Sequence, residues 1–201
     1  MCRNMEQVLL KELVTNVIPG ISPADFTEND GLPCKLVNIN SLVDGKINQN
    51  LIDSRTLSNL TRRGTTIDDC QLRYGDVVIS SKGPMFKAAM VDFERDNFFV
   101  SSNLSAFRLE QSIQPQILVE YLNGPVCQQE LKSMSRGTNY LFVRIADILE
   151  LKIPVPPPEL QTKLVGYCDT VNSYLAYLKK EEAMIRDMKQ HILATALEVP
   201  Q

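Results

Sequence analysis

Three short stretches of the chain set Arg, Lys and small polar side chains beside glycine. In "NLTRRGTT", Arg62 and Arg63 precede Gly64 in a loop bordered by hydroxyl residues. An arginine offers a fork of donors that fits a guanine edge or a phosphate, and Thr or Asn can supplement it. The same residues would equally make an ordinary solvated basic turn. In "SSKGPMFK", Ser80, Ser81, Lys82 and Lys87 follow an apolar run, with Gly83 and Pro84 as the expected tip of a protruding loop. Loops carried on a rigid sheet are where recognition concentrates, although surface lysines on a hairpin connection would look alike. In "MSRGTNY", Arg136, Thr138, Asn139 and Tyr140 surround Gly137, a residue that also suits the position ending a helix.

Bond-making chemistry finds few candidates. The only histidine, His191, sits beside Ile192 in a helical stretch, remote in sequence from any nucleophile. There is no Gly-x-Ser-x-Gly elbow, no phosphate-cradling glycine loop and no His-rich metal pattern. A methyltransferase's glycine-rich cofactor loop and Asn-Pro-Pro-aromatic motif are missing as well. Cys2, Cys34, Cys70, Cys127 and Cys168 lie far apart without a Cys-x-x-Cys pair, so reduced structural thiols are expected, with no metal site and no disulfide framework. A net charge of −3 declares no partner, because phosphate contacts depend on local clustering of Lys and Arg and not on the sum. No window of about eighteen apolar residues exists to span a membrane. Glu6, Lys11 and Glu12 interrupt the opening segment in a way that does not resemble a secretory signal. A cytosolic protein without membrane contact and without catalysis of its own is the expectation.

The elements that must position these loops can be read in chain order. "MEQVLLKELVTNVI" has apolar residues at helical spacing and predicts a short opening helix, broken by "PGISP". In "LPCKLVNINSLVDGKI" the alternation from Leu36 to Ile39 and the Asp44-Gly45 turn signal predict strand, short helical turn, turn and strand. "VVIS", after a Tyr74-Gly75-Asp76 turn, is a β-branched run expected as a buried strand. "AAMVD" and "NFFVSSNLSAFRLE" supply further strands around the charged turn "FERDN". From Pro115 the period changes, and two short helices are expected, the first stopped at Asn123-Gly124 and the second started by Pro125. A small helix from Ala146 to Leu149 and a last strand then run into Pro154, Pro156, Pro157 and Pro158, residues that cannot sit inside a helix or a central strand. The class is mixed α+β: a β-rich domain over residues 1–157, then one long helix over residues 158–198.

That helix is the most legible element. Leu164, Val171, Leu178, Ile185 and Ile192 recur every seven residues, and Leu160, Tyr167, Tyr174 and Met188 fill the complementary places. An a/d-type seam sustained this far indicates a coiled coil, with a polar break at Glu181. A helix from Glu159 to Leu197 would be roughly 58 Å long at about 1.5 Å per residue. A partner helix is a better cover for its stripe than the chain's own domain.

The arrangement resembles one half of a type I restriction–modification specificity subunit. "YGDVVISSKG" is similar to the family's Gly-Asp, apolar strand, Ser and Gly element, and "YLNGPVCQQELKSMSRGTN" to its Tyr-Leu, short helix and Gly-Thr element. "LELKIPVPPPELQTKLV" resembles its Pro-x-Pro-Pro element that opens the spacer helix, and "LLKELVTNVIPGISP" resembles its opening segment. Full-length subunits hold two target-recognition domains and two spacer helices, whereas this chain has one of each.

The resemblance implies a non-catalytic reader of double-stranded DNA. Its domain would contact one half of a bipartite site through Arg62, Arg63, Ser80, Ser81, Lys82, Lys87, Arg136, Thr138 and Asn139. Its helix would pair in a homodimer through Leu160, Leu164, Tyr167, Val171, Tyr174, Leu178, Ile185, Met188 and Ile192, acting as a ruler whose departure angle the prolines fix. Chemistry would come from a separate modification subunit that binds S-adenosylmethionine and methylates adenine, with a restriction subunit as an optional further partner. Two other readings stay open: a coiled-coil interaction module that does not bind DNA, and a recognition domain detached from a fused methyltransferase.

Overall fold

The computed structural model describes residues 6–28, 31–58, 66–83, 85–137 and 141–197. It is mixed α+β, with a β-rich region followed by a long C-terminal helix. In chain order the elements are β1 (Glu6–Leu9), α1 (Leu10–Leu13), β2 (Val14–Pro19), β3 (Leu32–Val37), β4 (Leu42–Val43), β5 (Lys46–Ile47) and β6 (Asp53–Leu57). There follow α2 (Ile67–Cys70), β7 (Val77–Ser80), β8 (Lys82–Gly83), β9 (Ala88–Met90), β10 (Phe98–Val100) and β11 (Leu104–Leu109). The chain continues through α3 (Pro115–Asn123), α4 (Pro125–Met134), β12 (Leu141–Phe142), α5 (Ile145–Ile148), β13 (Lys152–Val155) and α6 (Pro158–Leu197). Contacts divide it into two compact units, Met1–Pro158 and Glu159–Gln201.

A six-stranded sheet in the order β2-β11-β7-β9-β5-β4 forms the frame of the first unit. The run Val77, Val78, Ile79 and Ser80 is buried throughout, as a strand covered on both faces must be. A second sheet, β10-β3-β6, stands beside it and contains the parallel pair β10/β3. These two strands serve two cores at once. Val37, Phe98 and Val100 join a cluster with Ile18, Val78 and Leu104, while their neighbours Leu36 and Phe99 join another with Ile21, Leu57 and Cys70. Successive residues of a strand point to opposite faces, so two residues adjacent in sequence can feed separate cores.

Turn chemistry closes the sheet where the sequence places it. Asp44 and Gly45 both take positive φ, +50° and +75°, the mirror-image turn that suits the twist of a two-residue hairpin between β4 and β5. The end of α3 is fastened to the sheet by Asn123. Its side-chain amide donates to Ala88 O and its carbonyl accepts from Ala88 N–H, both at 2.9 Å, so one side chain completes an open stretch of β9.

The opening segment departs from expectation. "MEQVLLKELVTNVI" forms β1, a single helical turn with Leu10 and Leu13 buried, and β2. β1 pairs antiparallel with β13, with Glu6 opposite Val155 and Leu9 opposite Lys152, and β2 pairs with β11. These partners lie about a hundred or more residues away, and their pairing overrides a helical period that extends through only one turn.

One ion pair ties the frame together. Asp76 is almost wholly buried, and Arg108 on β11 grips it through Nε at 3.0 Å and Nη2 at 2.8 Å. The same carboxylate accepts from the Arg73 N–H at 2.8 Å, closing the turn in which Gly75 takes φ +84°, and Arg108 also donates to Gln71 O at 3.3 Å. A residue with a Cβ would be strained at Gly75.

We expect Asp76→Ala to leave the guanidinium without its partner and to cost about 3–5 kcal/mol. Urea titration followed by circular dichroism measures this; a loss below about 1 kcal/mol would show the pair to be dispensable.

Candidate nucleic-acid interface

The segment after β7 is not the free loop expected from "SSKGPMFK". Ser80 is fully buried at the end of the strand, where its Oγ accepts from the Lys87 N–H at 2.7 Å and its own N–H donates to Lys87 O at 2.9 Å. Ser81 is buried too, with its N–H donating to Asn103 O at 3.2 Å. These hydroxyl residues shape the excursion and present little to solvent. Lys87 donates through Nζ to Leu42 O at 3.2 Å, and Phe86 anchors the return in the core. Gly83 takes φ +137°, and a Cβ there would stand 3.1 Å from the Ile39 side chain.

Lys82 and Gly83 form β8, which pairs antiparallel with β12, Lys82 facing Phe142 and Gly83 facing Leu141. The Val143 N–H extends the pairing by donating to Ser81 O at 3.0 Å. On the other side of β12, Arg136 and Phe142 exchange both backbone hydrogen bonds, at 2.9 and 3.0 Å. Lys82, Phe142 and Arg136 are thus successive rungs of one ladder. Directly paired residues project to the same side of a sheet, and the Lys82 ammonium lies 5.8 Å from the centre of the Phe142 ring, within cation–π reach.

Sequence motifs separated by about fifty residues are therefore brought together through Lys82 and Arg136. Gly137, expected to end a helix, does not do so: α4 stops at Met134, and Ser135 closes it by donating to Lys132 O at 2.6 Å. Gly137 instead follows the ladder position with φ +95°. Arg62, Arg63, Thr138, Asn139 and Tyr140 lie outside the described residues.

Two contributors escaped the sequence reading. Phe142, partly exposed, has no local signal, because its partner Lys82 lies sixty residues away along the chain. Arg144 could have been found from the three-residue spacing of "RIAD". It forks onto Asp147 through Nε at 2.8 Å and Nη2 at 2.7 Å. Those hydrogen bonds hold the Asp147 carboxyl below its ordinary value, more than the Arg144 and Arg136 charges do, and the same bonds raise the Arg144 pKa. Among the described residues, neither Lys82 nor Arg136 makes an ion pair.

The described cysteines Cys34, Cys70, Cys127 and Cys168 form no disulfide with one another, and the first three are buried. Burial raises the thiol pKa of Cys34 and Cys70 and pushes that of Cys127 up to about 12, with Glu130 adding to the last. A thiol protonated to such a pH is a poor nucleophile. No group of three or more His, Cys, Asp or Glu among the described residues could hold a metal ion, and no described helix is long and apolar enough to cross a membrane.

The second unit is a single helical rod. Tyr167 and Ile185 are 69% and 66% exposed, and Leu160, Val171, Tyr174, Leu178, Met188 and Ile192 are exposed as well. Leu164 is half-exposed, and His191 is exposed. Leu175, Tyr177, Met184 and Leu193 widen the apolar surface beyond the strict seam. The helix carries its own support in an Arg186–Glu182 pair at 2.8 Å, one turn apart.

The family model described as type I restriction modification DNA specificity domain matches residues 35–186. Among solved structures, the chain is similar to one in a study of assembly and conformational transition of the type I R-M system, with 22% identity, TM-score 0.68, and coverage of 96% of this chain and 44% of that one. It is similar to the HsdS subunit from Thermoanaerobacter tengcongensis at 23% identity and TM-score 0.63, covering 100% of this chain and 46% of that. It is also similar to the S subunit of the type I restriction-modification system from M. genitalium at 16% identity and TM-score 0.55, covering 98% and 48%. At these identities the likeness is one of fold, and the chain spans less than half the length of each of the three. Comparison with curated proteins gives no match.

Burial of Cys127 has a consequence in alkali. Its folded pKa, about 12, exceeds the ordinary 9.0, so the folded state holds its proton where the unfolded state releases it. The resulting stability is whole below pH 9 and drains away as pH rises towards about 12. Cys127→Ala should flatten this fall in a pH series of urea midpoints; an unchanged slope would contradict it.

Proposed function

Because the chain belongs to the family of type I restriction modification DNA specificity domains, we propose that its β-rich unit reads one half of a bipartite DNA site and that α6 pairs with the equivalent helix of a second copy. The family is one of non-catalytic specificity domains, so chemistry falls to a separate modification subunit that carries S-adenosylmethionine and methylates adenine. A restriction subunit is a further, optional member of the complex. Assembly takes place in the cytoplasm.

One observation carries the reading. The matched region, residues 35–186, takes in both a β-rich unit and most of a helix whose seam residues are exposed. Exposed apolar surface on this scale, sustained at heptad spacing, favours a partner helix. At about 1.5 Å per residue the 40-residue helix is about 60 Å long, enough to hold two readers at a set separation. A two-fold dimer would then read a palindrome interrupted by unread base pairs, since protein symmetry is mirrored in the DNA. Residues 1–157 serve as the recognition domain and 158–198 as spacer and dimerisation helix. Lys82 and Arg136 are the described cations best placed for DNA contact; Lys87 follows them, and Ser80 and Ser81 act by shaping the excursion.

Two measurements test this. The log of the DNA association constant should fall linearly with the log of salt concentration, by about 0.9 for each phosphate neutralised; an affinity indifferent to salt would leave only an interaction module. In sedimentation, the wild type should be a dimer, and Val171→Glu with Ile185→Glu should weaken it more than about a hundredfold by burying charge in the seam. A monomeric wild type would sink the pairing. Mapping of methylated adenines then separates identical from unlike halves, a symmetric split motif being expected.

A further inference from the structure

The β8–β12 ribbon carries one partly exposed aromatic residue, Phe142, between two cations. Neighbouring strands lie about 4.8 Å apart, which sets the Lys82 and Arg136 backbones roughly 10 Å apart with Phe142 midway. Lys82 is held at the ring by the 5.8 Å cation–π contact. The Asp147 carboxylate, close enough to Arg136 to feel its charge, is gripped by Arg144. What remains is an apolar surface flanked by positive charge on a narrow, hydrogen-bonded strand pair.

That chemistry fits a polyanion that also displays apolar groups. The DNA major groove is about 12 Å wide, admits a two-stranded ribbon, and exposes the C5-methyl of each thymine between two lines of phosphates. We infer that Phe142 is a specificity-determining residue, contacting a thymine methyl in the major groove while Lys82 and Arg136 anchor phosphates on either side. This rests on the DNA reading proposed above. Lys82 and Arg136 contribute affinity that any sequence receives, and Phe142 contributes discrimination.

The test uses the full chain together with the methyltransferase it co-purifies with. Probes are a duplex selected from a randomised pool, the same duplex with deoxyuridine substituted singly for each thymine, and a scrambled duplex. Removing the contacted methyl should weaken wild-type binding about tenfold. Phe142→Ala should lose about as much on the selected duplex, lose nothing more on the deoxyuridine duplex, and bind the scrambled duplex as the wild type does. Phe142→Leu, which keeps an apolar contact, should retain part of the discrimination; it carries the comparison should the alanine variant melt early. Lys82→Ala and Arg136→Ala should each lower the salt slope by about one, whatever the sequence. The inference is overturned if Phe142→Ala weakens all duplexes equally, or if it stays as sensitive to the missing methyl as the wild type. A wild type that binds none of the duplexes overturns the DNA reading itself, which distinguishes the two failures.

Discussion

The buried carboxylate of Asp76 ties the turn before β7 to β11. Its oxygens take the Arg108 guanidinium from β11, and one also takes the Arg73 amide from the turn that precedes β7. β7 is the middle of the sheet, so the place where this turn releases the chain decides which residues of "VVIS" face which core. A strand slipped by one residue would turn every side chain to the wrong face. Arg108 also lies where the β11–β2 register shifts, and Thr15 donates to its carbonyl across that irregularity at 3.1 Å. The ion pair therefore sits where β2, β11 and β7 must agree on register.

What β7 carries follows from this. Its last residue, Ser80, returns the chain to Lys87 by hydrogen bonds to backbone, which frees only the short excursion containing β8 to leave the sheet. β8 is too short to stand alone, and a two-residue strand gains its order from pairing with β12, which in turn pairs with Arg136. Recognition surfaces commonly gather where a rigid frame presents small irregular pieces, because the frame supplies position and the pieces are free to vary. Here the frame is the six-stranded sheet and the pieces are Lys82 from one stretch of chain and Arg136 and Phe142 from another.

Much of the first unit was legible. The Asp44-Gly45 turn, the buried strand after Gly75-Asp76, the stop at Asn123-Gly124 and the start at Pro125 all came out where turn and cap chemistry put them. Each depends on backbone preferences that act within a few residues. The opening segment reads as a helix because Leu10 and Leu13 do sit one turn apart, and nothing nearby announces β13 or β11 as partners. The candidate interface was half legible. Lys82 and Arg136 stand out by type, but serines beside a Lys-Gly pair read as loop residues when they are buried backbone partners, and Phe142 carries no local mark.

The sequence by itself determined the class of fold, the extent of the long helix and the heptad seam along it, because those follow from turn residues, prolines and a short-range period. It also placed the chain beside a family of DNA readers through ordered local motifs. Only the tertiary structure decided that Arg108 answers Asp76, that β1 closes on β13, and that Lys82, Phe142 and Arg136 stand side by side. Apart from the six-residue return from Arg136 to Phe142, those are pairings between residues separated by roughly thirty to a hundred and fifty positions. Which distant groups meet is settled by the packing of the whole sheet, and local preference carries no record of it.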